Sequence, residues 1–349
     1  MSRRVLAFLG RLGRWVVNDA PPRESMSEAE RGAIDWIRFT PFALLHIAAL
    51  GVFFTGVSAV AIGVALALYL ARMFCITAFY HRYFSHRAFK VGRVTQFVMA
   101  VAGCTAGQRG PLWWASHHRE HHLSSDTPND PHSPKWKGFL HSHTVWFLTR
   151  GSFATQEPRV RDWLKFSELR WLERFEWVPF VALGAACYGL GALLAAGAPQ
   201  LGTNGPQMLI LGFVCSTVAL YHATYSTNSI AHKFGRRRFN TNDDSRNNAW
   251  VALLTLGEGW HNNHHFYPVA AKHGFAWWEI DMTWMGIAAM RALGLACEAK
   301  TVPTHMLEDA GFGANSSAPD ALSEPLTAQL HGPMPAQLTQ PTGMRQKRA

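Results

Sequence analysis

Charge is what this chain has least of. Asp, Glu, Lys and Arg make up 16% of its 349 residues, against roughly 25% in soluble domains, while apolar residues reach 48%. That combination excludes an intrinsically disordered chain and leaves a membrane protein open; the mean hydropathy of −0.04 averages apolar blocks with polar ones. Cysteine is scarce as well: the 5 are scattered, with no CxxC, which argues against a disulfide framework or a cysteine-rich zinc module. Acid is the scarcer sign, so the net charge is +10, which suits nucleic acid or an anionic membrane face. Against these shortages stand 18 His and 14 Trp.

Uncharged residues are gathered into long blocks. Between Phe39 and Tyr80 only Arg72 is charged, and a bilayer-spanning helix takes about 20 residues. The sequence therefore predicts a hairpin of spans over 41–59 and 60–80, turning near Thr55–Gly56, and a second over 177–197 and 207–227. The alternative is a buried helical hairpin in a large soluble core. Val94–Ala106 is too short to cross and reads as a re-entrant or interfacial helix. In 274–300, Trp277, Ile280, Trp284 and Ile287 recur at helical spacing, predicting a helix at the membrane surface or packed on the cap.

The two inter-span turns carry no Lys or Arg, whereas Arg82, Arg87, Lys90, Arg93 and Arg236–Arg238 fall on the opposite side. The positive-inside rule then puts both termini, the 81–175 segment and everything after about 228 in the cytoplasm. Topology accounts for the basic excess, and no nucleic acid is needed. Residues 1–38 form a basic N-terminal segment; 1–18 is amphipathic, and Arg11 and Arg14 interrupt it, so it reads as a surface helix rather than a signal peptide. The membrane domain spans 39–305, and 306–349, rich in Ala, Pro, Ser and Gln, reads as a disordered tail.

Histidines collect beside the spans. His81 and His86 lie in HRYFSH; His118, His121 and His122 in HREHH; His232 ends NSIAH, which begins at Asn228; His261, His264 and His265 lie in HNNHH. Positions i, i+3 and i+4 share a helix face, so each triple presents three imidazoles together. His81 and His86 are five apart, about 140° on an ideal helix, which suits a helix end. Nine imidazoles exceed what one ion takes and suit two, with four or five each. Residue chemistry alone leaves iron, copper and zinc open.

HRYFSH, HREHH, NSIAH and GEGWHNNHHFYP, with DPHSPKWKGFLHSH from Asp130, resemble the boxes of the membrane fatty acyl desaturases, specifically the stearoyl-CoA delta-9 desaturase-like family. The resemblance covers about residues 40–300. It implies an all-α integral membrane protein, four transmembrane helices in two hairpins under a cytosolic helical cap, in a bacterial inner membrane. It implies two iron ions held by His81, His86, His118, His121, His122, His232, His261, His264 and His265, with Asn228 in contact through water. It implies a bent acyl tunnel with Gln108, Trp114, Thr224 and Tyr225 at the bend, and Trp146 and Arg150 near the acyl carrier. Ser116-His117 replaces the Arg-Asp of animal members that helps bind CoA. Without a fused haem domain, the electrons come from a separate carrier: a ferredoxin, a rubredoxin or a b-type cytochrome with its reductase.

The implied reaction is dioxygen-dependent desaturation of a saturated acyl chain, carried by CoA through a rearranged basic set of Arg109, Lys135 and Arg150, at position 9. A phospholipid-linked chain and a membrane hydroxylase are the alternatives. A metal transporter would need ligands at mid-membrane, and only His46 and His222 fall inside or near the ends of spans.

Overall fold

The computed structural model describes residues 9–10, 12–13 and 16–309. Four helical runs are long and apolar enough to span a membrane: Trp36–Thr55, Ala59–Ser85, Trp177–Gly197 and Gly205–Ser229. The first contains helix α1 (Trp36–Ala49), capped by Asp35. It turns at Gly56, whose φ of +73° suits glycine, and Ser58 caps α2 (Ala59–Phe74) through the Ala61 N–H. The second span outruns its predicted end at Tyr80 because a π-helical segment, Cys75–Ser85, continues α2. Helices α3 (Arg93–Cys104), α4 (Pro111–Ser124) and α5 (Ser167–Arg174) follow, and α6 (Trp177–Gly197) is the third span. The fourth span has its own π segment, Met208–Cys215, leading into α7 (Ser216–Ser229). Short α8 (His261–Phe266) and α9 (Met282–Ala292) complete the cap, with one two-residue strand pair, Lys90–Val91 against Ala296–Cys297.

The main core lies where the second span meets α3 and α4, around Tyr80, Phe84, Leu112 and Leu169. Arg72 is buried in the second span and satisfied by neutral acceptors: Nη1 donates to Thr217 Oγ1 and Nη2 to Ser216 Oγ, both at 2.6 Å, and Nε to Leu68 O. Span two is thereby joined to span four.

Two expectations change. No helix runs through 274–281: Asp281 caps α9 through the Trp284 N–H and also takes Arg82 and the His273 N–H, so the helix starts after it. Trp277 and Ile280 are therefore exposed on a loop, while Ile287 is buried. A short helix, Thr304–Asp309, crosses the boundary drawn at 305, and its Leu307 packs with Phe239 and Phe275. Most of the predicted N-terminal surface helix, and the tail from 310, lie outside the described residues.

Candidate metal centre

The π segment decides where the first box points. In an i→i+5 repeat, His81 and His86 are successive turns, and the His86 N–H donates to His81 O. The 140° separation of an ideal α-helix does not arise, and the two ring centroids are 5.0 Å apart. Arg119, inside HREHH, closes the end of this segment: its Nε donates to Ser85 O and its Nη2 to Phe84 O, each at 2.8 Å. The orphan carbonyls of one box are thus satisfied by the neighbouring box.

Nine imidazoles form two groups. His81, His86, His118, His122 and His264 offer ligand atoms within 4.8 Å of one another, and so do His121, His232, His261 and His265. Each triple is divided between them. On α4, His118 and His122 face the five-membered group and His121 the other; on α8, His264 joins the five and His261 and His265 the four. Two short helices therefore bridge both groups.

Carboxylates fix the rings. His121 Nδ1 lies 3.0 Å from Asp130 Oδ2, His232 Nδ1 2.7 Å from Asp126 Oδ2, and His265 Nδ1 2.6 Å from Asp243 Oδ2; His81 Nδ1 meets Glu258. Burial would raise these three Asp carboxyls, but the facing imidazoles and local N–H and hydroxyl donors hold them well below the usual range. Burial, reinforced by neighbouring imidazoles, pushes His118, His122, His261 and His264 far down, so these rings are neutral. His121 shifts the other way: burial pushes it down, but Asp130, Asp126 and Asp243 together raise it.

The Nε2 atoms of seven of the nine rings approach one another in pairs. His81 and His264 Nε2 are 3.0 Å apart, His86 and His118 2.7 Å, His122 and His264 2.9 Å, and His232 and His261 2.9 Å. Imidazole nitrogens gathered at that spacing are close enough to share one cation. Two nitrogens each about 2.1 Å from one ion at a right angle are about 3.0 Å apart. His261 Nδ1, His264 Nδ1 and His265 Nε2 are buried without a hydrogen-bond partner. The donor set fits two metal ions: all nitrogen, no thiolate, with carboxylates behind the rings.

The asparagines of HNNHH stitch the loops. Asn262 Oδ1 accepts from the backbone N–H of Arg238 and Phe239, both at 2.7 Å, and Asn263 Nδ2 donates to His273 O and Glu279. Gly259 is required by close approach, because a Cβ there would lie 2.0 Å from Ala252 N. His117 is buried outside both groups, with its Nε2 3.2 Å from Ala154 O. Sequence reasoning missed His273, which is fully buried, with Nδ1 3.5 Å from Glu258 and its ring 4.4 Å from His264. It also missed the roles of Asp126, Asp130 and Asp243, which no local spacing reveals.

Beside the five-histidine group lies a cavity of about 550 Å³, lined by His118 and Asn228 and by Gln108, Trp114, Trp146, Thr224 and Tyr225. Gln108 Nε2 donates to Thr224 Oγ1 at 3.1 Å. Phe42 and Leu45 of the first span and Phe180 and Val181 of the third supply apolar wall. Arg150 is not among the lining residues and its side chain is exposed. The cations at the cavity are engaged: Arg109 with Glu176 and Asn18, Arg38 with the carbonyls of Phe147 and Thr149. Lys135 pairs with Asp244 at 3.1 Å.

The chain matches the fatty acid desaturase family over residues 34–297. It is 36% identical over 279 residues to an sn-1 stearoyl-lipid 9-desaturase of Anabaena variabilis, covering 79% of this chain and 97% of that protein. It is 37% identical over 244 residues to a chloroplastic palmitoyl-monogalactosyldiacylglycerol delta-7 desaturase of Arabidopsis thaliana, covering 69% and 62%. With an acyl-CoA 5-desaturase of Anemone leveillei it shares 39% over 267 residues, covering 75% and 78%.

Proposed function

The chain belongs to the fatty acid desaturase family, and from that premise we propose that it introduces a double bond at carbon 9 of a saturated acyl chain carried on a membrane glycerolipid. The observation that carries the reading is an apolar cavity whose wall includes His118, a member of the five-imidazole group. Bound iron supplies the dioxygen chemistry that an unactivated methylene requires. The chain's own residues do the rest. The nine histidines hold the metals, with Asn228 in contact through water, and the carboxylates behind the rings fix their orientation. The cavity sets position by proximity, since a methylene offers no charge or dipole to bind. The Gln108–Thr224 hydrogen bond fixes the bend. Two electrons come from a separate carrier, a ferredoxin, a rubredoxin or a b-type cytochrome with its reductase. The cap and termini face the cytoplasm, a reading that the basic residues on that side support, and the membrane is a bacterial inner membrane.

The carrier is argued from charge. CoA phosphates call for free cations, and the basic set expected from the sequence is not assembled here. Arg109 and Lys135 are paired, Arg150 is away from the cavity, and Ser116 is buried, accepting from the Gln156 N–H. The acyl-CoA reading keeps the support of relatives that act on CoA esters, the Anemone enzyme among them. Expression in a host lacking desaturases, with double bonds located by mass spectrometry, tests the reaction: an alkene is expected, and an alcohol would make the protein a hydroxylase. Purified enzyme offered stearoyl-CoA or the same chain in phospholipid tests the carrier; turnover of the CoA ester alone would overturn the glycerolipid assignment.

A further inference from the structure

The cavity beside the five-histidine group opens toward the bilayer. Of the residues that line it, the exposed ones are Val16, Pro41, Trp177 and Val181. Pro41 belongs to the first span, and Trp177 and Val181 belong to the third. Leu44 and Val178, on the same stretches, are exposed and apolar as well. The opening is therefore on the flank of the bundle, and it faces hydrocarbon.

Packing explains the gap. The first and third spans each lie on the π segment of the fourth, Met208–Cys215. Farther from the cap they converge on it. Leu45, Ala48, Phe180 and Leu183 pack in one cluster with Phe213, and a Cβ on Gly184 would lie 3.0 Å from the Phe213 ring. Nearer the cap, Pro41 and Phe42 on one side and Trp177 and Val181 on the other border the cavity instead.

Among the described residues, the cap end of this gap is barred. Residues 16–18 lie across it: Trp177 Nε1 donates to Val16 O at 2.8 Å, and Asn18 Nδ2 donates to Glu173 O at 2.8 Å and to Glu176 Oε2 at 3.1 Å. Arg109 fastens the same corner through Glu176 and Asn18, and Glu176 also accepts from the Gly110 N–H at 2.7 Å.

The depth of the opening fits one occupant. At about 1.5 Å per residue, Pro41 and Val181 lie about 6–8 Å along their spans from Trp36 and Trp177, and one leaflet holds about 15 Å of hydrocarbon. That is the level of the first methylenes below the ester of a glycerolipid. A chain that turns in there leaves its ester and headgroup at the interface and never crosses water. The cavity it enters is walled by His118 of the five-histidine group.

Resting on the glycerolipid reading, we propose that the gap between Pro41 and Val181 is a lateral portal, through which one acyl chain of a membrane glycerolipid slides from the cap-side leaflet into the cavity. The test needs no turnover. Metal-free protein is placed in liposomes containing phosphatidylcholine whose sn-1 chain carries a photoactivatable diazirine at carbon 9. After irradiation, adducts are expected on Gln108, Trp146 or Tyr225, which line the cavity and are buried from bulk lipid. Val181→Trp and Pro41→Trp, which fill the opening from opposite walls, should each lower these adducts about tenfold or more, as for a hindered association step. Leu193→Trp, on the same span as Val181 and exposed away from the cavity, should leave them unchanged. In the iron-loaded enzyme the two blocking substitutions should lower kcat/KM for the lipid by a similar factor, with iron content retained. Interior adducts undiminished by both blocking substitutions would overturn the portal and leave the glycerolipid reading standing. Interior adducts formed from the same diazirine chain on CoA, and not from phosphatidylcholine, would instead overturn the glycerolipid reading.

Discussion

Asp130, Asp126 and Asp243 do for the imidazoles what the imidazoles cannot do for themselves: each takes one Nδ1 and leaves Nε2 free to face the metal site. Outer partners of this kind are worth about 10–100-fold in metal affinity. Asp130→Asn and Asp243→Asn should each weaken iron binding by about that factor with the protein still inserted, as read from iron titration of purified protein. His264→Ala should cost the five-histidine group its iron outright, read as iron per chain. That nine imidazoles would form sets of four or five was legible from their number, but the i, i+3 and i+4 spacing put each triple together, whereas both triples are divided between the groups. Which imidazole serves which group was not legible, since that depends on how α4 and α8 cross. The carboxylates were hidden for a related reason: Asp126 meets His232 across 106 residues.

At the scale of elements, the π segment and the loop before α8 do the positioning. The four spans were readable from uncharged length, but not the π geometry that sets His81 and His86 one turn apart; their five-residue spacing points to it only once the structure is known. Arg82 holds this segment to the third box. It is fully buried between Glu258, at 3.0 Å, and Asp281, at 2.9 Å. Removing one partner of such a pair strands the others, at about 3–5 kcal/mol. Arg82→Met should therefore lower the melting temperature in detergent and reduce iron content, because Glu258 also holds His81. Gly259→Ala drives a methyl into the backbone of Ala252; the expected outcome is a displaced α8 and protein that purifies without metal, checked by iron analysis and near-ultraviolet circular dichroism.

At the scale of the whole molecule, four spans leave both inter-span turns on one side and every box on the other. Cysteines at Val57 and Leu201, both exposed, should be labelled by an impermeant thiol reagent from outside the cell, and a cysteine at Arg237 only after permeabilisation; labelling of all three from one side would refute the arrangement. Arg72 gives this bundle a history as well as a shape. A translocon asked to release the second span into lipid meets a lone guanidinium, a burden of about 2.5–3.5 kcal/mol near a span centre. Its hydroxyl partners, Ser216 and Thr217, lie 144 and 145 residues downstream, which at roughly 5–20 residues per second is a wait of about 7–30 seconds. Until the fourth span emerges, the nascent first hairpin has no dry place for that charge and must be retained beside the insertion machinery. An Arg72→Leu nascent chain truncated after the first hairpin should partition into microsomal lipid more completely than the unsubstituted one.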